Sequence, residues 1–216
     1  SSFNTSNVKF MENMFSESSS LISINFTGFD TSNAFYMQSM FYGCSSLVSL
    51  DLSGFTFNHV YMNDFFHQCH SLTSIKLSNE YQLPINVENM FRDCFSLLSL
   101  DLNNFDFGIV EDMQYLFYGC TKLTSINLSS FDTFWVTNME YMFYGCSSLI
   151  EINAEWITFS LLNIDSMFYD CFSLKYLDLS IFDTSLVTNM KELFYNCLEL
   201  TSINLNNFKT NEVTNM

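Results

Sequence analysis

Cysteine recurs at Cys44, Cys69, Cys94, Cys120, Cys146, Cys171 and Cys197, every 25 or 26 residues along a chain of 216. A fixed period in this range means one short motif repeated about eight times, each copy burying its apolar side against its neighbours. One copy alone cannot bury enough surface to offset the entropy of ordering it, so the copies must stack. The chain is therefore expected to be a single solenoid domain over residues 1–216. No linker, charge block or low-complexity stretch interrupts the period.

The unit has two halves. In the first, Met139, Met142, Phe143, Cys146 and Leu149 fall at i, i+3, i+4, i+7 and i+10, one face of a 3.6-residue period, which predicts a short helix of two or three turns. Its Phe file runs Phe15, Phe41, Phe66, Phe91, Phe117, Phe143, Phe168 and Phe194; in the first unit Ser18 replaces the cysteine. After each cysteine the pattern alternates, as in Leu47, Leu50 and Leu52 or Leu174, Leu177 and Leu179, which predicts a short strand with one face inward. A second Phe file follows at Phe29, Phe55, Phe105, Phe131, Phe182 and Phe208, and a polar segment such as Asp183-Thr-Ser turns the chain back. Unit length changes only there, where a loop absorbs insertions. Two units depart: one carries Glu80-Tyr81 and the single proline, Pro84, the other Ala154 in place of Leu, with Trp156 nearby. Both read as local repacking.

The predicted fold class is thus an α/β repeat, a right-handed leucine-rich-repeat-like solenoid with short parallel strands on one face and short helices on the other. Strands paired at about 4.8 Å would give a ladder of roughly 40 Å over eight units. The pattern Met-Phe-x-x-Cys-x-Ser-Leu-x-Ser-Leu-Asp-Leu-Ser-x-Phe-Asp-Thr-Ser-x-Val-Thr-Asn-Met resembles the 25/26-residue repeat of BspA-like leucine-rich repeat surface proteins, over the whole chain. That resemblance implies an extracellular, surface-attached protein concerned with adhesion to host cells, matrix proteins or other microbes. It brings no catalytic residues with it.

Seven Lys and Arg against 23 Asp and Glu give a formal charge of −16, which argues against nucleic acid and anionic membranes as partners. No apolar run approaches the 18 residues of a membrane span, and no signal peptide opens the sequence. Both ends fall in mid-repeat, which suggests an excerpt of a longer array with export signal and anchor elsewhere, or ends that stack on other chains. Seven cysteines in an exported chain would ordinarily suggest disulfides. Here each shares one core-facing position, and parallel side chains in a file suit the roughly 90° disulfide dihedral poorly. A buried ladder of free thiols is expected.

For partner binding the outward strand positions come first. They form polar ladders that include Ser49, Asp51, Ser99, Asp101, Ser125, Asn127, Asn153 and Asp178, broken mainly by Glu151, Glu155, Lys175 and Tyr176. With Asp178, that break forms an acidic patch suited to a cation or a basic segment. A tyrosine stripe, Tyr42, Tyr118, Tyr144, Tyr169 and Tyr195, joined by Tyr115 and Tyr141, offers a lateral interface, since tyrosine favours contacts with one wet edge. His59, His67, Cys69 and His70 share a unit but lack the paired spacing of a zinc site, so no metal and no cofactor is expected. With no Gly-rich phosphate loop and no nucleophile elbow, an enzyme is not expected either. Three functions stay open. The first is a non-enzymatic cell-surface adhesion or protein–protein recognition module, whose partner is a host, matrix or neighbouring-cell protein. The second is a structural protein self-associating into filaments or a coat. The third is a divalent-cation or carbohydrate-binding module.

Overall fold

The computed structural model describes residues 4–80 and 82–216; Phe3 and Tyr81 lie outside the described residues. Successive coils lie flat on one another. Phe15, Phe41, Phe66, Phe91, Phe117, Phe143, Phe168 and Phe194 form one continuous stack, with neighbouring ring centroids 5.4–5.9 Å apart and planes within 16° of parallel. From Phe41 to Phe168 these rings are fully buried, and the cysteine, methionine and leucine files flank them in one continuous core.

The strand half keeps its predicted place as three parallel pairs. β1 (Ser49–Asp51) pairs with β2 (Ser74–Lys76), β3 (Ser125–Leu128) with β4 (Glu151–Ala154), and β5 (Tyr176–Asp178) with β6 (Ser202–Asn204). Register matches repeat position: Leu50 faces Ile75, Ile126 faces Ile152, and Leu177 faces Ile203. Single hydrogen bonds bridge the coils between pairs, as from Leu98 N to the Thr73 carbonyl and from Lys175 N to the Ile150 carbonyl. A second file of parallel bridges runs up another side, from Asp112 through Asn138, Asn163 and Asn189 to Asn215.

The predicted helices are absent from the described residues, and the α/β class is corrected accordingly. Met139, Met142, Phe143, Cys146 and Leu149 do point inward, but their backbone is a ribbon of consecutive four-residue turns. Met142 N, Tyr144 N, Cys146 N and Leu149 N each donate to a carbonyl three residues back. The alternate donors, Met139 N, Tyr141 N, Phe143 N and Gly145 N, instead reach Asn163, Asp165, Met167 and Tyr169 of the next coil at 2.8–3.0 Å. A helix would spend all these donors within the coil, whereas the ribbon spends half of them on cohesion between coils.

Two residues per coil make the ribbon possible by taking positive φ, five residues and one residue before the cysteine. In the Cys146 coil these are Tyr141 (φ 55°) and Gly145 (φ 71°). The position just before cysteine is held by Gly43, Gln68, Asp93, Gly119, Gly145, Asp170 and Asn196, and all but Gln68 are residue types that tolerate the left-handed region. At Gly119 even a methyl would stand 2.7 Å from the Asp93 carboxylate.

The departing coils repack as expected. Trp156 occupies the second Phe file, parallel to Phe143 at 6.3 Å and tilted 50° to Phe182 at 5.1 Å.

All seven cysteines are free, and each thiol donates to the backbone carbonyl of the core Phe in the preceding coil, from Cys44 to Phe15 through Cys197 to Phe168, at 3.1–3.3 Å. The same carbonyl accepts the N–H of its own coil's cysteine, as Phe117 does from Cys120. The file thus gives a small apolar filler and a donor to each carbonyl's second lone pair.

Sequence reading missed one structural file. In the Phe-Asp-Thr element the threonine is buried and clasps the next coil. Thr184 Oγ1 donates to the Lys209 carbonyl at 2.8 Å and accepts from Lys209 N at 2.7 Å, and Thr5 and Thr158 make the same pair of bonds with Asp30 and Asp183. In the coil with Pro84, Gln82 stands at this place and its side chain reaches back instead, accepting from Phe57 N of the preceding coil at 2.6 Å. Replacing Thr184 with Val leaves a backbone N–H and a carbonyl unpaired in a largely closed setting, so Thr184→Val should cost about 1–3 kcal/mol while Thr184→Ser costs less. Urea unfolding of the two variants checks this.

Candidate functional site

The strands set the outward face. Period-2 alternation buries Leu50, Ile126 and Leu177 and leaves Ser49, Asp51, Ser125, Asn127, Glu151, Asn153, Tyr176 and Asp178 exposed. Ser99 and Asp101 lie exposed in the equivalent stretch of their coil, outside a named strand. Glu155, just past β4, is exposed as well.

Much of the acid and amide ladder is occupied with turning the chain. Asp51, Asp101, Asn127 and Asp178 each accept the backbone N–H two residues on, from Ser53, Asn103, Ser129 and Ser180, at 2.8–3.2 Å. These are Asx turns that end the strand and start the return loop. Asp51 also accepts the Ser53 hydroxyl at 2.6 Å and lies 3.0 Å from Lys76 Nζ; the Ser53 bonds first, then Lys76, hold its carboxyl down to about 2. Hydrogen bonds to Ser180 likewise lower Asp178.

The β4 coil departs from this scheme. Asn153 donates to Asn127 Oδ1 at 3.1 Å, as Asn127 does to Asn103, but its own side-chain oxygen does not accept the backbone N–H two residues on. In the next coil Tyr176 is half exposed with its hydroxyl 3.2 Å from Asp178 Oδ2, while Lys175 leans 4.0 Å toward Glu199. A uniform polar sheet is therefore interrupted by Glu151, Glu155 and Tyr176 on adjacent coils.

The tyrosine stripe is divided. Tyr118, Tyr144, Tyr169 and Tyr195 stack at 4.5–4.8 Å, and Tyr115 stacks on Tyr141 at 5.1 Å. Tyr42 stands apart from them, because His67 and Arg92 hold the intervening places; it meets the His67 ring edge-on at 5.1 Å. Arg92 in turn lays its guanidinium 4.6 Å over Tyr115 and 4.8 Å over Tyr118.

The histidine cluster does not converge on one point. His67 lies 2.9 Å from Asp64, His70 stacks on Phe95 at 4.8 Å, and the Cys69 thiol is directed to the Phe41 carbonyl. Among the described residues no group of three or more His, Cys, Asp or Glu side chains is arranged to hold a metal ion. No helix among them is long and apolar enough to cross a membrane.

One exposed feature was not anticipated. Phe134, Trp135 and Phe159 lie at 39, 58 and 57% exposure, with Phe134 4.9 Å from Trp135 and 5.6 Å from Phe159. They occupy the variable loop: Phe134 and Phe159 stand where Ser32 and Ser185 stand in other coils, and Trp135 at the unspecified position beside Phe134, so the periodicity of the core carried no signal for them.

A family model described as "Mycoplasma protein of unknown function, DUF285" matches residues 1–80, 85–177 and 162–216. Among solved structures, a leucine-rich cell surface protein from Faecalibacterium prausnitzii is 18% identical with a TM-score of 0.33, the match covering 89% of this chain and 68% of that one. A leucine-rich repeat protein from Bacteroides ovatus is 20% identical with a TM-score of 0.27, again covering 89% and 68%. No curated protein matches the chain.

Proposed function

The chain belongs to the family described as Mycoplasma protein of unknown function, DUF285, and from that membership and its outward strand face we propose a non-enzymatic, BspA-like cell-surface module for adhesion and protein recognition. The observation that carries this reading is the interruption of a regular polar sheet by Glu151, Glu155 and Tyr176 on neighbouring coils. A stack of this kind presents a rigid, extended array of side chains, each set on a strand whose position is fixed by the core beneath it. Multivalent contact along such a face yields avidity without a deep pocket. Tyrosine supplies contact area at low entropic cost, and the two glutamates give the patch a sign.

The test is binding to immobilised matrix and host-surface proteins, comparing the native chain with Glu151→Ala, Glu155→Ala and Tyr176→Ala combined. All three residues are exposed, so the fold should persist. Loss of binding by about tenfold or more is expected if Tyr176 is an interface anchor. Unchanged binding removes this face as the contact surface.

A further inference from the structure

The tyrosine files and their rim point to a ligand class. Arg92 occupies, in its own coil, the place that Tyr118, Tyr144 and Tyr169 hold in the coils that follow. Its planar guanidinium continues the aromatic stack, lying over the Tyr115 and Tyr118 rings. The chain therefore shows with its own side chain what these ring faces accept. Farther along, the inner file stops: the place of Tyr115 and Tyr141 passes to the small Ser166 and then to Glu192. A groove with a volume of about 340 Å³ runs along both files, from Arg92 past Tyr115, Tyr118, Tyr141 and Tyr144 to Ser166, Tyr169 and Glu192.

The rim is acidic. Glu140, Asp165, Asp170 and Glu192 surround the rings, against Lys191 and Arg92 as the nearby cations. Lys191 lies 3.4 Å from Glu192, and Arg92 is drawn to Asp93 at 3.8 Å. Burial first raises the Tyr141, Tyr144 and Tyr169 hydroxyls above their ordinary range; Asp165 and Glu140 follow at Tyr141, while at Tyr144 and Tyr169 a neighbouring tyrosine comes ahead of Asp170 and Glu192. A guanidinium answers both features, since it stacks on an aromatic face and pairs with a carboxylate through its edge. A lysine ammonium is attracted to ring and carboxylate alike, but it has neither the flat face that stacks nor the forked edge that pairs bidentately.

We propose that this groove receives arginine side chains from a basic segment of a protein partner. The proposal rests on the reading of the chain as a protein-recognition module but uses a different face from the strands. Calorimetric titration of the full chain at physiological salt would compare octa-arginine with octa-lysine peptides. Octa-arginine should bind about tenfold more tightly, the share a stacked guanidinium adds over charge alone. Tyr169→Ala and Glu192→Gln should each weaken octa-arginine several-fold. The combined Glu151, Glu155 and Tyr176 alanine variant should leave it unchanged, so failure here and failure of the strand-face reading are separable. Glu192→Gln removes only a charge from an exposed side chain and keeps the test valid if Tyr169→Ala perturbs folding. Equal affinity for the two peptides, no binding, or a loss shared equally by the strand-face variant would overturn the proposal.

Discussion

Raising the pH from 9 to 11 should unfold this protein cooperatively. Burial pushes the thiols up: Cys44 and Cys197 to about 11, and Cys69, Cys94, Cys120, Cys146 and Cys171 further still. An unfolded thiol ionises near pH 8.5. Because the folded pKa is the raised one, the folded chain keeps protons that the unfolded chain releases. Stability is then fully present below the unfolded value and falls as pH climbs toward the folded ones. Each thiol costs up to about 1.4 kcal/mol per pH unit, so the seven together give a slope of up to about 10 kcal/mol per unit, easing as Cys44 and Cys197 ionise near 11. Against a typical stability of about 5–15 kcal/mol, one to two units suffice. Raised Tyr115, Tyr141 and Tyr144 hydroxyls add in the same direction at the upper end. The measurement is thermal melting as a function of pH, with thiol reagent accessibility alongside. Native protein at pH 8 should leave the six fully buried thiols unmodified, and denatured, unreduced protein should yield all seven. A flat melting temperature up to pH 10.5 would contradict the buried-thiol ladder.

Phe117→Ala should be the most damaging single substitution in the middle of the stack. Phe117 is fully buried and sits between Phe91 at 5.7 Å and Phe143 at 5.4 Å, with both ring pairs near parallel. Truncating a buried phenylalanine costs about 3–5 kcal/mol through lost burial and the cavity left behind. Two stacked neighbours lose about 0.5–1.5 kcal/mol each, partly within that figure. Because coils couple only to their neighbours, the damage falls at one interface and should divide the array into two cooperative blocks. Urea titration should therefore show a broadened or two-step transition. Phe15→Ala in the first described coil, where the ring is only partly buried and has one partner in the file, should lower stability by less and keep a single step. Equal, single-step losses at both positions would argue that the coils do not unfold as a coupled linear array.

Both expectations draw on files legible before any coordinates. Phe15 to Phe194, the seven cysteines and the alternating leucines were read from period alone, and each lies where stacking requires. The polar strand ladders were legible too, but what they do was not, because the two-residue reach from Asp51 to Ser53 makes them turn formers before it makes them contacts. The threonine clasp was hidden because Asp-Thr-Ser reads equally as a solvated loop; only the neighbouring coil shows that Thr184 is closed in. Phe134, Trp135 and Phe159 lay in the return loop, where the buried periodicity does not reach.

The sequence by itself determined which side chains are inside and how far apart their equivalents recur, because burial pattern and period are properties of residue type and spacing. It did not determine the path of the backbone between Met139 and Leu149. A helix and a ribbon of turns both bring those residues to one side, and residues such as Gly145 and Asp170 before the cysteine were the local sign of the ribbon. The choice falls to the tertiary structure, because a short isolated helix is only marginally stable in water. A parallel coil at strand spacing offers half the backbone donors an acceptor that no single unit contains.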